Sequence, residues 1–123
     1  MRRTALGFAL MGSGLIAACD SNGPQGVHDD PYVTGSIESI MHRATASGLL
    51  VRPAAGARDP CGISATVDAQ TRYYRRRVRS LEPAALADLQ LGDTVEVHVT
   101  GPVAESCPAQ GYASAIVIVS TSQ

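Results

Sequence analysis

The residues best equipped for chemistry lie together in Arg72-Tyr73-Tyr74-Arg75-Arg76-Arg77-Val78-Arg79, which holds five arginines and two tyrosines. Guanidinium groups pair bidentately with phosphate or carboxylate, and tyrosine stacks on rings. Arg72, Tyr73, Tyr74, Arg75, Arg76 and Arg77 are therefore the candidate ligand-binding residues, suited to an anionic lipid headgroup or an acidic glycan. The competing use of such a segment is a solvated strand edge whose charges block edge-to-edge pairing.

Other reactive residue types are sparse. The chain has three histidines and three cysteines. No serine sits in a G-x-S-x-G elbow, no glycine loop is spaced to cradle phosphate, and no cluster has metal-ligand spacing. His28-Asp29-Asp30 are adjacent donors in a polar stretch, where convergence on one metal ion is not expected. His98 follows Glu96 on the outward face of a strand pattern and reads as solvated surface, and His42 has no partner in sequence that suggests a triad. No catalytic residue, metal or cofactor is expected, and the protein is not read as an enzyme.

The N-terminus carries a different signal. Met1-Arg2-Arg3 is a positive start, and Ala5 to Leu15 is an apolar run too short for a stable mature span. The run ends in Leu15-Ile16-Ala17-Ala18-Cys19, which resembles the bacterial lipobox: an aliphatic residue, two small residues and a cysteine. That resemblance implies cleavage before Cys19, diacylation of its sulfur and N-acylation of the new terminus. Residues 1–18 are then a lipoprotein signal peptide, and the mature protein, about 105 residues long, is one small domain held at a membrane of the cell envelope, facing the periplasm or the exterior. Residues 19–31 are polar, rich in glycine and proline, and read as a flexible tether.

Stepping from signal to mature chain also changes the charge. All ten basic residues are arginine, and losing Arg2 and Arg3 leaves eight against eleven acids, a net charge near −3. A mildly acidic chain lacks the overall basic face needed to neutralise many phosphates, so no nucleic-acid partner is expected. With 45% hydrophobic residues the composition suits a globular fold rather than disorder.

The elements that must position the arginine segment read as short strands. Val33, Gly35 and Ile37 share one face, and Ile40 then breaks the alternation, which predicts a bulge. Gly48 to Arg52 is a second strand and Ile63 to Val67 a third, with Ile63, Ala65 and Val67 inward. Thr71 to Val78 continues or restarts that strand after a turn at Asp68. Glu82 to Leu89 predicts a short helix, with an acid and proline at its start, Leu86 and Leu89 on one side and Gly92 after it. Asp93 to Gly101 alternates with Val95, Val97 and Val99 inward. Tyr112 to Ser120 is apolar on both faces in its middle, as expected if a second layer or a partner covers the outer side.

Three strands, a short helix and two strands is the element order of the OB-fold, a small five-stranded Greek-key barrel over residues 32–123. In that topology the third and fifth strands are parallel neighbours. Cys61 precedes the third strand and Cys107 lies shortly before the fifth, so both reach one end of the barrel. An even pair of cysteines in an exported domain favours a Cys61–Cys107 disulfide.

Two stretches, Asp88-Leu89-Gln90-Leu91-Gly92-Asp93-Thr94-Val95-Glu96-Val97 and Glu105-Ser106-Cys107-Pro108-Ala109-Gln110 leading into Ala113 to Val119, resemble the small exported YobA-like family. The resemblance spans about Tyr32 to Ser120. It implies an OB-fold-like domain, often lipid-anchored, with no catalytic residues to carry over. Family members often have tyrosine where this chain has Cys107, which implies that the disulfide belongs to a subgroup. The expected role is a non-catalytic binding module in the cell envelope, the alternative being an accessory subunit of an envelope complex.

Overall fold

A computed structural model describes residues 24–27, 30–54 and 60–121. Seven strands follow in chain order: β1 (Val33–His42), β2 (Ser47–Pro53), β3 (Ile63–Val67), β4 (Arg72–Arg76), β5 (Leu81–Pro83), β6 (Thr94–Ala104) and β7 (Ala109–Ser120). β1 pairs antiparallel with β2 and β6, β2 with β3, and β6 with β7, while β3 closes the ring by running parallel to β7. The five strands β1, β2, β3, β7 and β6 thus form the OB-like closed barrel that the element order anticipates. Closure leaves no free edge within those five strands.

Alternation dictates the core. Val33, Ile37, Leu49, Val51, Ile63, Val67, Val95, Val97, Ile116 and Ile118 point inward and are almost entirely buried. Their β-branched side chains suit a pleated surface packed on one side. The bulge falls where the pattern in β1 breaks: pairing with β2 shifts between Ile37 and Ser39, and Ile40 resumes packing against the core. The turn before β6 pins this bend. Gly92 N–H donates to the Ile37 carbonyl (2.9 Å), Ile37 N–H donates to the Asp93 carbonyl (3.0 Å), and the buried Asp93 carboxylate accepts from Gln90 N–H (3.0 Å).

The expected short helix is absent. Between β5 and β6 there is only a single 3₁₀ turn, Leu86–Asp88. Two local features confine it. Glu82 and Pro83 are held extended, paired with β4, and after the turn, whose start Asp88 caps by accepting from Ala85 N–H (2.9 Å), Leu89 is already extended (φ -81, ψ 136). The apolar pair still does what the pattern required, since Leu89 joins the core and Leu86 packs against it.

Cys61 and Cys107 are joined as a disulfide, with Cα atoms 5.2 Å apart. The bridge sits at the start of the parallel seam, where Ile63 lies opposite Ala109 and Ala109 N–H donates to the Gly62 carbonyl (3.1 Å). Gly62 has φ +70, and a side chain there would overlap the Val51 carbonyl, so only glycine lets β2 and β3 meet the bridge.

Candidate functional site: the arginine strand and its strap

β7 is long enough to serve two neighbours. Its first half carries β3 and its second half carries β4, with Arg72 opposite Ala115 and Arg75 opposite Ile118. Beyond β4 the sheet ends in the three-residue β5. The arginine segment is therefore not a free strand edge: β4 is hydrogen-bonded on both sides, and the edge is β5.

The pleat divides the segment between two faces. Tyr73 and Arg75 share the inner side with Ile116 and Ile118, and Tyr73 packs against the core. Burial, with help from the Asp68 carboxylate, pushes the Tyr73 phenol up to about 12. Arg72, Tyr74 and Arg76 share the outer side with Ala115 and Val117. Tyr74 O–H donates to the Gln25 carbonyl (2.9 Å). The Arg76 guanidinium reaches across β7 to the Glu96 carboxylate (2.7 Å), and Arg77 pairs with Glu82 (2.8 Å). That contact with Arg77 holds the Glu82 carboxyl below the usual carboxylate range. Arg72, Arg75 and Arg79 make no ion pair among the described residues. Arg75, Arg76 and Arg77 converge with Ser120 and Thr121 on a shallow depression of about 150 Å³ at the end of β7.

The outer side of β7 is covered by the chain itself. Residues 24–27, which fall in the segment expected to be a tether, lie on it as a strap: Ser114 Oγ donates to the Gly26 carbonyl (2.6 Å), and Gly26 sits against Ala115. Gly26 has φ +81, and a Cβ there would come 2.5 Å from the Ser114 carbonyl oxygen. It covers the outward Ala115 in the continuous apolar run of β7, where Ala115, Ile116, Val117 and Ile118 are all buried and Ile116 and Ile118 face the core.

On the same side of the sheet, the expectation that His98 is solvated surface is overturned. His98 is only 1% exposed, opposite Ala115, with Nε2 3.5 Å from the Glu96 carboxylate. Alternation placed His98 on the outer face correctly, but that face is roofed, which no local pattern shows. His42 is exposed at the end of β1. His28, Asp29 and Cys19 lie outside the described residues, among which no group of His, Cys, Asp and Glu is arranged to hold a metal. Among those residues no helix is long and apolar enough to cross a membrane.

A second polar cluster sits at the turn leading into β4. The Asp68 carboxylate accepts from Tyr112 O–H (2.6 Å) and Gln70 N–H (2.9 Å), and Thr71 O–H donates to the Ala113 carbonyl (2.9 Å). The Tyr112 bond is the main cause holding Asp68 below the usual carboxylate range. A carboxyl whose folded-state pKa is depressed contributes stability above its unfolded pKa and loses that contribution as pH falls through the folded value. Acidification below about pH 4 is therefore expected to lower the melting temperature, and Asp68→Asn to flatten part of that fall, when thermal unfolding is followed across the acid range.

These features define a small barrel with a basic strand appended to it and a strap locked across the joint. Comparison of the chain with protein-family models, curated proteins and solved structures finds no match.

Proposed function

We propose that the protein is a lipid-anchored envelope protein that acts as a non-catalytic binding module for an anionic envelope component. The observation that carries the reading is the convergence of Arg75, Arg76 and Arg77 on one depression, in a segment whose Arg72 and Arg79 make no ion pair among the described residues. Five arginines against the two glutamates they engage leave a local excess of three positive charges on a chain that is acidic overall. Such a patch concentrates positive potential at one place. Ser120 and Thr121 add hydroxyl donors beside it. Tyr73 faces the core and Tyr74 holds the strap, so arginine rather than ring stacking does the binding. The lipobox at Cys19 and the resemblance to the YobA-like family support the envelope setting. The accessory-subunit alternative drew on an uncovered apolar face of β7, and the strap covers that face.

Binding of the mature domain to anionic vesicles or acidic glycans is expected to fall with salt, as the Debye length shortens from about 10 Å at 0.1 M to about 3 Å at 1 M. Changing Arg75, Arg76 and Arg77 together to serine should abolish most binding in a co-sedimentation assay. Arg77–Glu82 is a solvent-exposed, screened ion pair that adds little to stability, so the thermal transition should move little. A triple variant that binds as well as the parent at low salt refutes the reading.

A further inference from the structure

We infer that the strap is an orienting device: by locking residues 24–27 against β7, it presents the arginine strand to the anionic phospholipid headgroups of the bilayer that holds Cys19. This rests on the lipid anchor and the anion-binding role proposed above, and it names the ligand source.

The argument is one of reach. A chain segment spans at most about 3.3–3.6 Å per residue. If residues 19–31 were entirely free, thirteen residue steps would separate Cys19 from Tyr32, and the barrel could sit some 45 Å from the anchor in any attitude. With Gln25 held on β4, at most six residue steps, about 20 Å at full extension, separate it from Cys19. Gln25 is bonded to Tyr74, the central residue of β4, with Arg72 and Arg76 flanking it on the same face and Arg75 next in sequence. The anchor is thereby tied to the basic strand rather than to the barrel's other surfaces. The β6–β7 hairpin lies at the far end of β7.

Charge and covalent anchoring then act together. Basic residues near an anionic leaflet are attracted within about a Debye length of the surface, and a lipid chain combined with a basic patch is a recurrent pair of membrane signals. Releasing the strap lengthens the longest possible connection from six steps to thirteen. Effective concentration falls roughly as the −3/2 power of linker length, so contact between the strand and the headgroups should drop about threefold.

Gly26 makes the device testable, because a side chain there collides with the Ser114 carbonyl and Gly26 itself lies outside the barrel strands. The processed, membrane-anchored chain would be reconstituted in phosphatidylcholine vesicles with or without phosphatidylglycerol, with a quencher on the headgroups. A fluorophore would be placed on Val78→Cys, beside the arginines and 97% exposed, or on Pro102→Cys in the distant hairpin. The Val78 probe should be quenched more than the Pro102 probe, most strongly with phosphatidylglycerol present. Gly26→Val should reduce that preference about threefold, and Ser114→Ala, which removes one strap bond without a clash, should reduce it in the same direction. Equal quenching at the two positions, or failure of the chain to anchor, overturns the inference. A preference that depends on phosphatidylglycerol but survives both strap variants removes the strap's role and leaves the anion-binding reading standing. A preference equally large on phosphatidylcholine alone removes phospholipid headgroups as the ligand and, when acidic glycans also fail to bind, the anion-binding reading with it.

Discussion

Replacing Cys61 and Cys107 together with alanine is expected to lower the unfolding free energy by about 4 kcal/mol and the melting temperature by roughly 15 °C or more. The bridge closes a loop across a sequence separation of 46 residues, and in the chain-entropy model the unfolded chain regains that freedom when the link is removed. Neither cysteine is part of the buried core, so the alanines open no cavity and the change isolates the cross-link. The seam at risk is the parallel pairing of Ile63 to Thr66 with Ala109 to Tyr112, whose two strands are far apart in sequence and must find each other without a hairpin. A small domain holds about 5–15 kcal/mol in total, so the loss is a large fraction of it. Calorimetry of the oxidised parent and the double variant checks this, and transitions within a degree or two of each other would contradict it. Non-reducing peptide mapping of the purified protein should recover the two cysteines as one linked peptide pair.

Changing Cys19 to serine is expected to shift the protein from complete membrane retention to either a released form or an unprocessed precursor. Each acyl methylene buried in a bilayer contributes about 0.8 kcal/mol, so two or three chains hold a domain of this size at the surface. Serine has no thiolate to accept the lipid. Fractionation of cells with immunodetection of the chain reads the outcome directly. A correctly processed serine variant that stays in the membrane fraction would refute lipidation. Combining this variant with the Arg75, Arg76 and Arg77 substitutions separates the two attachments, since the basic strand alone should retain protein only at low salt.

Much of the barrel was legible because its information is local and periodic. Val95-Glu96-Val97 and Ile63-Ser64-Ala65 announce strands by alternation alone, and the displaced Ile40 announced a bulge that the pairing of β1 with β2 contains. The two cysteines added a long-range constraint that alternation cannot supply, and it agreed with the parallel seam. The helix expected over Glu82 to Leu89 failed for a reason that is also physical. A narrow apolar stripe and a starting proline are compatible with a single 3₁₀ turn, and pairing of Leu81 to Pro83 with β4 used up the residues a helix would have needed.

Residue type and spacing alone decided that this chain is strand-rich, that Val33, Ile37, Ile63, Ala65, Val67, Val95 and Val97 face inward, and that Arg72 to Arg79 concentrates positive charge. Tertiary structure alone decided what each outward side chain meets. Alternation assigns a residue to a face of the sheet but carries no information about what lies against that face. Tyr73 turned to the core because β4 follows β7 rather than β3, and Arg76 found Glu96 because β7 places their strands on either side of it. His98 is buried opposite Ala115, on the face where Gly26, more than seventy positions away in sequence, packs against Ser114 and Ala115. The hydrogen bonds that hold this strap use backbone carbonyls of Gln25 and Gly26, groups that every residue possesses, and so the contact leaves no mark in the pattern of side chains.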